Sequence, residues 1–185
     1  AQVVTLPDVR TPAEFDAWLP SARGKFVMVS FAQPTCRPDE KWREYAPDSG
    51  MVNRMRAERT AAQRGWNERV RIATGDSTVA QANRNLHAKL AAAGVRGMFT
   101  HLWSNGWGVD KIFNARPNQT IPSIDLSCED YGLVFRLAHN PQDTVVRVQA
   151  QSESLGEVPV FNVIGEIRGS EKPNEYVMLS AHFDS

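Results

Sequence analysis

The sequence predicts an α/β fold, and three observations carry that expectation. KFVMVSF, residues 25–31, is a strand candidate built on the apolar run Phe26–Val29; DSTVAQANRNLHAKLAAAG, residues 76–94, is amphipathic at helical spacing; VRGMFTHLW, residues 95–103, is a second compact strand candidate directly after it. Strands that alternate with helices joined by short turns bury their apolar faces as a sheet covered by helices.

The elements follow in order. A short helix starts at Thr11 with Pro12 in its first turn, where its missing N–H costs nothing, and Gly24 turns the chain into the strand at 25–31, which Pro34 ends. Residues 37–71 are dense in arginine interleaved with acidic residues. Val52, Met55, Ala62 and Trp66 supply an apolar stripe opposite those charges, so a solvated helical face is expected, with nucleic-acid binding as the alternative. In the next helix Val79, Ala82, Leu86, Leu90 and Ala93 recur every three or four residues, between Ser77 or Thr78 as cap and Gly94 as terminator. His87 lies beside that stripe as a packing residue. After the strand at 95–103, SNGWGVDK is turn-rich, and Trp103 and Trp107 either line a pocket or cover a small core. TIPSIDLS then reads as β, CEDYGLVFRLAHN as a helix with His139 at its end, and VVRVQAQSE as a strand with Val146, Val148 and Ala150 alternating with polar residues. VPVFNVIGEIRG and EYVMLSAHFDS are expected to form two strands, 158–169 and 176–185, about a turn containing Pro173 and Asn174.

Composition excludes several functions. With 21 basic against 21 acidic residues and a pI near 7.1, nothing electrostatic favours nucleic acid or an anionic membrane surface. No apolar run approaches the roughly 20 residues a spanning helix needs. The opening Ala-Gln, without Met, suits cleavage of an export signal or a boundary within a longer chain. Cys36 and Cys128 are too few and too far apart for a metal knuckle, leaving one long-range disulfide or two buried thiols. Asn118-Gln119-Thr120 is a glycosylation sequon, meaningful only in a secreting eukaryotic host.

The histidines are His87, His101, His139 and His182. Of these, His182 has the most suggestive place, because a ligand at the carboxyl end of an apolar strand points into the crevice where open α/β sheets bind their ligands. Two residues on, Asp184 returns to the same face and can orient an imidazole by accepting its second ring N–H. A hydrolytic zinc site takes at least three protein ligands, and a bimetallic one more, so this pair is incomplete by itself.

The stretch NVIGEIRGSEKPNEYVMLSAHFDS, residues 162–185, resembles the opening two strands of the catalytic domain in the co-catalytic zinc aminopeptidase and carboxypeptidase Q-like family. There an N-V-I-x-E-I-x-G strand precedes a turn, and a second apolar strand ends in H-x-D-S. The resemblance implies that His182 is a zinc ligand and that Asp184 orients it, with the remaining carboxylates and a final histidine further along the family's chain. GKFVMVSF, NLHAKLAAAGVRGMFTH, IPSIDLSCEDYGLVFRLAHN and VVRVQAQSE look like the protease-associated domain carried by many members, a small β-sheet or open barrel flanked by helices. On this reading residues 1–155 are that domain, with an Arg-rich insertion at about 37–75, and residues 156–185 are the first two strands of an α/β zinc-peptidase sheet.

The resemblance thus implies a fragment of a secreted or periplasmic zinc exopeptidase acting on peptide substrates. The 185 residues alone are expected to be inactive and to bind zinc weakly. Their last two strands are expected to pair with a neighbour, fold back or fray. Two other readings stand beside it. A protease-associated domain can serve as a stand-alone binding module. Alternatively, KFVMVSFAQPTCRP and IPSIDL resemble a thioredoxin-like domain reduced to a single active cysteine, since Asp39 stands where C-x-x-C would place the second and Cys128 belongs to a later element.

Overall fold

A computed structural model describes residues 1–103, 121–140, 143–151, 153 and 156–181. The chain divides into two compact units, Ala1–Ala150 and Gln151–Ser185.

The first unit is built on a parallel sheet of strands β1 (Val3–Thr5), β2 (Phe26–Met28), β3 (Gly97–Thr100) and β4 (Ser123–Asp125), lying side by side in that order. Their register pairs Val3 with Phe26, Phe26 with Gly97, and Met98 with Ser123. Helices α1 (Pro12–Trp18), α2 (Asp39–Tyr45), α3 (Ser49–Thr74), α4 (Val79–Ala93) and α5 (Cys128–His139) complete it, with a 3-10 turn at Leu19–Ala22. The fold class is therefore α/β, as the sequence predicts.

Period-two alternation divides the core. Val27 and Met98 join Phe15, Trp66, Val70, Leu86 and Leu90 in a cluster beneath α1, α3 and α4. Phe26, Met28 and Phe99, pointing the other way, join Val3 and Tyr131 in a second cluster under α5. Strand β2 is buried along its whole length, which is why its sequence is an unbroken apolar run.

Helix ends follow the signals read from the sequence. Thr11 Oγ1 accepts from Glu14 N ahead of α1, and Thr78, rather than Ser77, caps α4 by accepting from Gln81 N. Gly94 then stops α4 in the left-handed region, φ 76°, where a side chain would be strained. In α3 the buried residues are Val52, Trp66, Val70 and Ala73, so the apolar stripe exists but runs further toward the carboxyl end than predicted. Helix α2 buries no residue; Asp39, at its start, ties it to Arg56 and Arg59 of α3.

The strands are shorter than the sequence suggested, and β1 was not foreseen, since three residues with two valines give too little period to read. Two further expectations are corrected. Residues 145–153 form no strand among the described positions. Residues 143–146 dock on the amino end instead, where Gln2 Nε2 donates to Asp143 Oδ1 at 2.6 Å, Val145 bridges Gln2, Val3 N donates to Thr144 O at 2.8 Å and Val146 N to Ala1 O at 3.0 Å.

In the second unit the predicted turn is present, Glu175 N donating to Lys172 O at 3.1 Å across Pro173 and Asn174. Among the described residues the strands about it are not. Residues 156–181 carry no ladder, and Ile167, Val177 and Leu179 are 98%, 97% and 96% exposed. A β-strand is defined by hydrogen bonds to a neighbour, and the two apolar segments make none to each other.

Candidate functional site

The carboxyl ends of the strands carry the polar chemistry of the first unit, which is where open parallel sheets bind their ligands. Beyond β2, the Tyr131 hydroxyl from α5 reaches across 101 residues of sequence to clamp Ser30, donating to its carbonyl at 2.6 Å and accepting from its N–H at 2.9 Å. Tyr131 is fully buried. That burial pushes its hydroxyl well above the ordinary tyrosine range, against the opposing pull of the Ser30 hydrogen bonds. The Ser30 hydroxyl in turn accepts from the backbone N–H of His101, at 3.1 Å, just beyond β3.

His101 is 8% exposed, and its ring lies 5.7 Å from that of Tyr131. Its Nδ1 is 3.2 Å from the Leu126 carbonyl oxygen. A carbonyl only accepts, so Nδ1 carries the proton and Nε2 is left as an acceptor in the neutral ring. Next to it, Thr100 hydrogen-bonds Asp125 across β3 and β4.

Two long-range contacts close the neighbourhood. Cys36 and Cys128 form a disulfide that ties the segment after β2 to the first turn of α5. Of the two options the sequence left open, the bridge is the one realised. It also corrects the single-cysteine redox reading, because Cys36 has no free thiol: the sheet brings Cys128, remote in sequence, into bonding reach. On the other side, the Arg59 guanidinium lies 3.7 Å from the centre of the Trp103 ring and 3.4 Å from Asp39, and Arg37 stands over Trp42 at 4.8 Å. Trp103 is thus half-buried beneath an arginine. Asp39 is raised by its partial burial, yet the Arg56 hydrogen bond and the Arg59 and Arg56 charges outweigh this and hold it below the usual carboxylate range.

The residues singled out from sequence fare differently. His182, Asp184 and Ser185 lie outside the described residues, as do Trp107 and Asn118. His139 sits at the end of α5 with its ring stacked on Phe135 at 5.5 Å, as a structural residue would. His87 is half-buried on α4, as expected of a packing residue. Among the described residues no three His, Cys, Asp or Glu side chains come together as a metal site. No helix of the described residues is long and apolar enough to cross a membrane. Sequence reasoning missed Ser30, Arg59 and Tyr131 altogether, because each acquires its role only by meeting a residue far away in sequence.

Comparison with known proteins finds partial similarity to carboxypeptidase Q. The mouse protein is 29% identical over 84 residues, which is 45% of this chain and 17% of that protein. The bovine protein is 32% identical over 65 residues, 35% of this chain and 14% of that protein, and the human protein 26% identical over 84 residues. The match covers less than a fifth of the length of these relatives. No family model matches the chain. No solved structure matches it. The partial similarity relates the chain to a peptidase.

Proposed function

We propose that the chain is part of a secreted or periplasmic zinc-dependent exopeptidase. Residues 1–155 form a protease-associated domain that shapes access to the cleft, and residues 156–185 begin the peptidase domain. The observation that carries this reading is the partial similarity to carboxypeptidase Q, together with the H-x-D-S stretch that ends the sequence. His182 is the first zinc ligand and Asp184 accepts its second ring N–H. The substrates are peptides with a free terminus. A disulfide is compatible with an oxidising compartment.

The test uses the protein purified from its natural source. It should hydrolyse unblocked dipeptides, lose that activity to a chelator and regain it with zinc. Asp184→Asn should weaken zinc binding by about 10–100-fold, and His182→Ala by at least as much. Hydrolysis of N-acetylated but not C-amidated dipeptides would assign carboxypeptidase action, and the reverse aminopeptidase action. Activity indifferent to both chelator and His182→Ala would overturn the proposal.

A second reading is a binding module without chemistry. What supports it is the hydrogen-bonded set of Ser30, His101 and Tyr131 beyond the sheet.

A further inference from the structure

Buried polar atoms without hydrogen-bond partners are few in native proteins, and each needs a cause. His101 Nε2 is one of them: it is closed to solvent and has no partner among the described residues. The donors of the same residue are in use. Its backbone N–H donates to Ser30 Oγ at 3.1 Å and its Nδ1–H to the Leu126 carbonyl at 3.2 Å.

The second of these bonds holds a junction. Leu126 follows β4 directly and precedes Ser127, whose hydroxyl caps α5 by accepting from Asp130 N at 3.1 Å. The backbone ladder ends here, with Leu126 N donating to Thr100 O at 3.0 Å, and the imidazole takes the carbonyl of the same residue. One side chain thus completes the attachment of the β4–α5 junction to the end of β3. The body of α5 is held separately, by the Tyr131 hydroxyl on Ser30 and by the Cys36–Cys128 disulfide.

Protonation of the ring adds an N–H and a charge at Nε2, where the described residues offer no acceptor. The charged groups of the surrounding elements are engaged elsewhere or point outward. Asp125 of β4 accepts from Thr100, Asp130 of α5 from Ser127, and Arg59 of α3 pairs with Asp39. Glu129, Arg136 and His139 of α5 are exposed, and the Tyr131 hydroxyl, on the ring 5.7 Å away, is committed to Ser30. A buried cation without a partner is costly, whereas water satisfies it fully. The ring escapes that cost by turning out to solvent, and doing so breaks its bond to Leu126.

We propose that His101 is a proton-operated latch. Neutral, it locks the β4–α5 junction to β3; protonated, it leaves its site and the junction opens, while the sheet and the body of α5 stay in place. Histidine is the side chain that ordinarily changes charge between about pH 5 and 8, so acidification is the signal. The proposal does not depend on the peptidase reading, since it involves neither metal nor substrate.

The experiment follows the isotope-labelled chain by NMR from about pH 8 to about pH 5, reading the His101 ring Cε1–H signal and the exchange protection of the Leu126 amide, with Val27 in the sheet as reference. Leu126 protection should fall about tenfold, the effect of losing one buried hydrogen bond, at the midpoint where the His101 ring titrates, and Val27 protection should hold. His101→Asn places an amide N–H where Nδ1 stands and takes up no proton, so it should keep Leu126 protected across the range. Should that variant not fold, agreement or disagreement of the two midpoints in the wild-type chain decides. Three results overturn the proposal: a His101 ring that titrates with Leu126 protection unchanged, a ring that stays unprotonated until Val27 also loses protection, and a fall in Leu126 protection that persists in His101→Asn.

Discussion

Replacing both Cys36 and Cys128 by serine tests what holds the segment after β2 against α5. The bridge joins positions 92 residues apart. In the chain-entropy account, closing a loop of that length removes enough freedom from the unfolded chain to contribute about 4.6 kcal/mol at 25 °C. That figure is a ceiling, because the unfolded chain keeps residual structure. For a domain of this size it corresponds to a fall in Tm of roughly 10–18 °C. Urea denaturation of the double variant should show a lower midpoint and a steeper slope, since the uncrosslinked unfolded chain exposes more surface. The serine pair keeps the side-chain size nearly constant, so packing contributes little to the difference. A loss below about 1 kcal/mol with an unchanged slope would refute the loop-entropy argument.

Three further outcomes follow from particular contacts. A Cβ at Gly97 would stand 2.9 Å from Phe26 Cε1 and 3.0 Å from the Pro122 carbonyl oxygen, so Gly97→Ala should cost about 1–3 kcal/mol, measured as a shift in urea midpoint; a neutral result would show that the β3 and β4 backbones can separate. Tyr131→Phe leaves the Ser30 N–H and carbonyl without their partner and should cost about 1–3 kcal/mol. Because the folded state raises Tyr131 above its ordinary 10.0, this group's contribution is complete below pH 10 and is lost as pH rises beyond it, at about 1.4 kcal/mol per pH unit; the phenylalanine variant should lack that slope. Asp39→Asn removes the counter-charge of Arg59, whose side chain is 16% exposed, and should cost about 1 kcal/mol at neutral pH. As Asp39 is depressed below 3.8, its contribution is present above that pH and lost as pH falls further, which an acid denaturation series on both proteins would show.

What could be read in the sequence was what is decided locally. Thr11 with Pro12, Thr78 with Gly94, and the period of Leu86 and Leu90 set helix ends and faces within a few residues, and those helices form where predicted. Strand ends depend on what lies alongside: the pairing of β2 ends at Met28, opposite Thr5 of β1 and Phe99 of β3, with one more bond from Val29 N to Phe99 O, though Val29 and Phe31 continue the apolar pattern. The contacts beyond the sheet were unreadable for the same reason, more strongly. Nothing around Ser30 announces a tyrosine 101 positions away, and nothing around Arg59 announces Trp103.

The second unit poses the converse problem. Its turn at Pro173 and Asn174 is local chemistry and forms, but the apolar segments on either side are almost fully exposed, Val163 at 83% and Ile164 at 88% among them. Such side chains are driven to burial, and an apolar strand completes its backbone hydrogen bonds only against a neighbouring strand. A metal ligand directly after such a segment, the role the zinc reading gives His182, can be held to the distances a zinc ion requires only if the segment before it is fixed. On the zinc reading, ordering of residues 176–181 and assembly of the metal site are therefore one event. On that reading, a partner that covers Val177 and Leu179 would also govern the affinity for the ion.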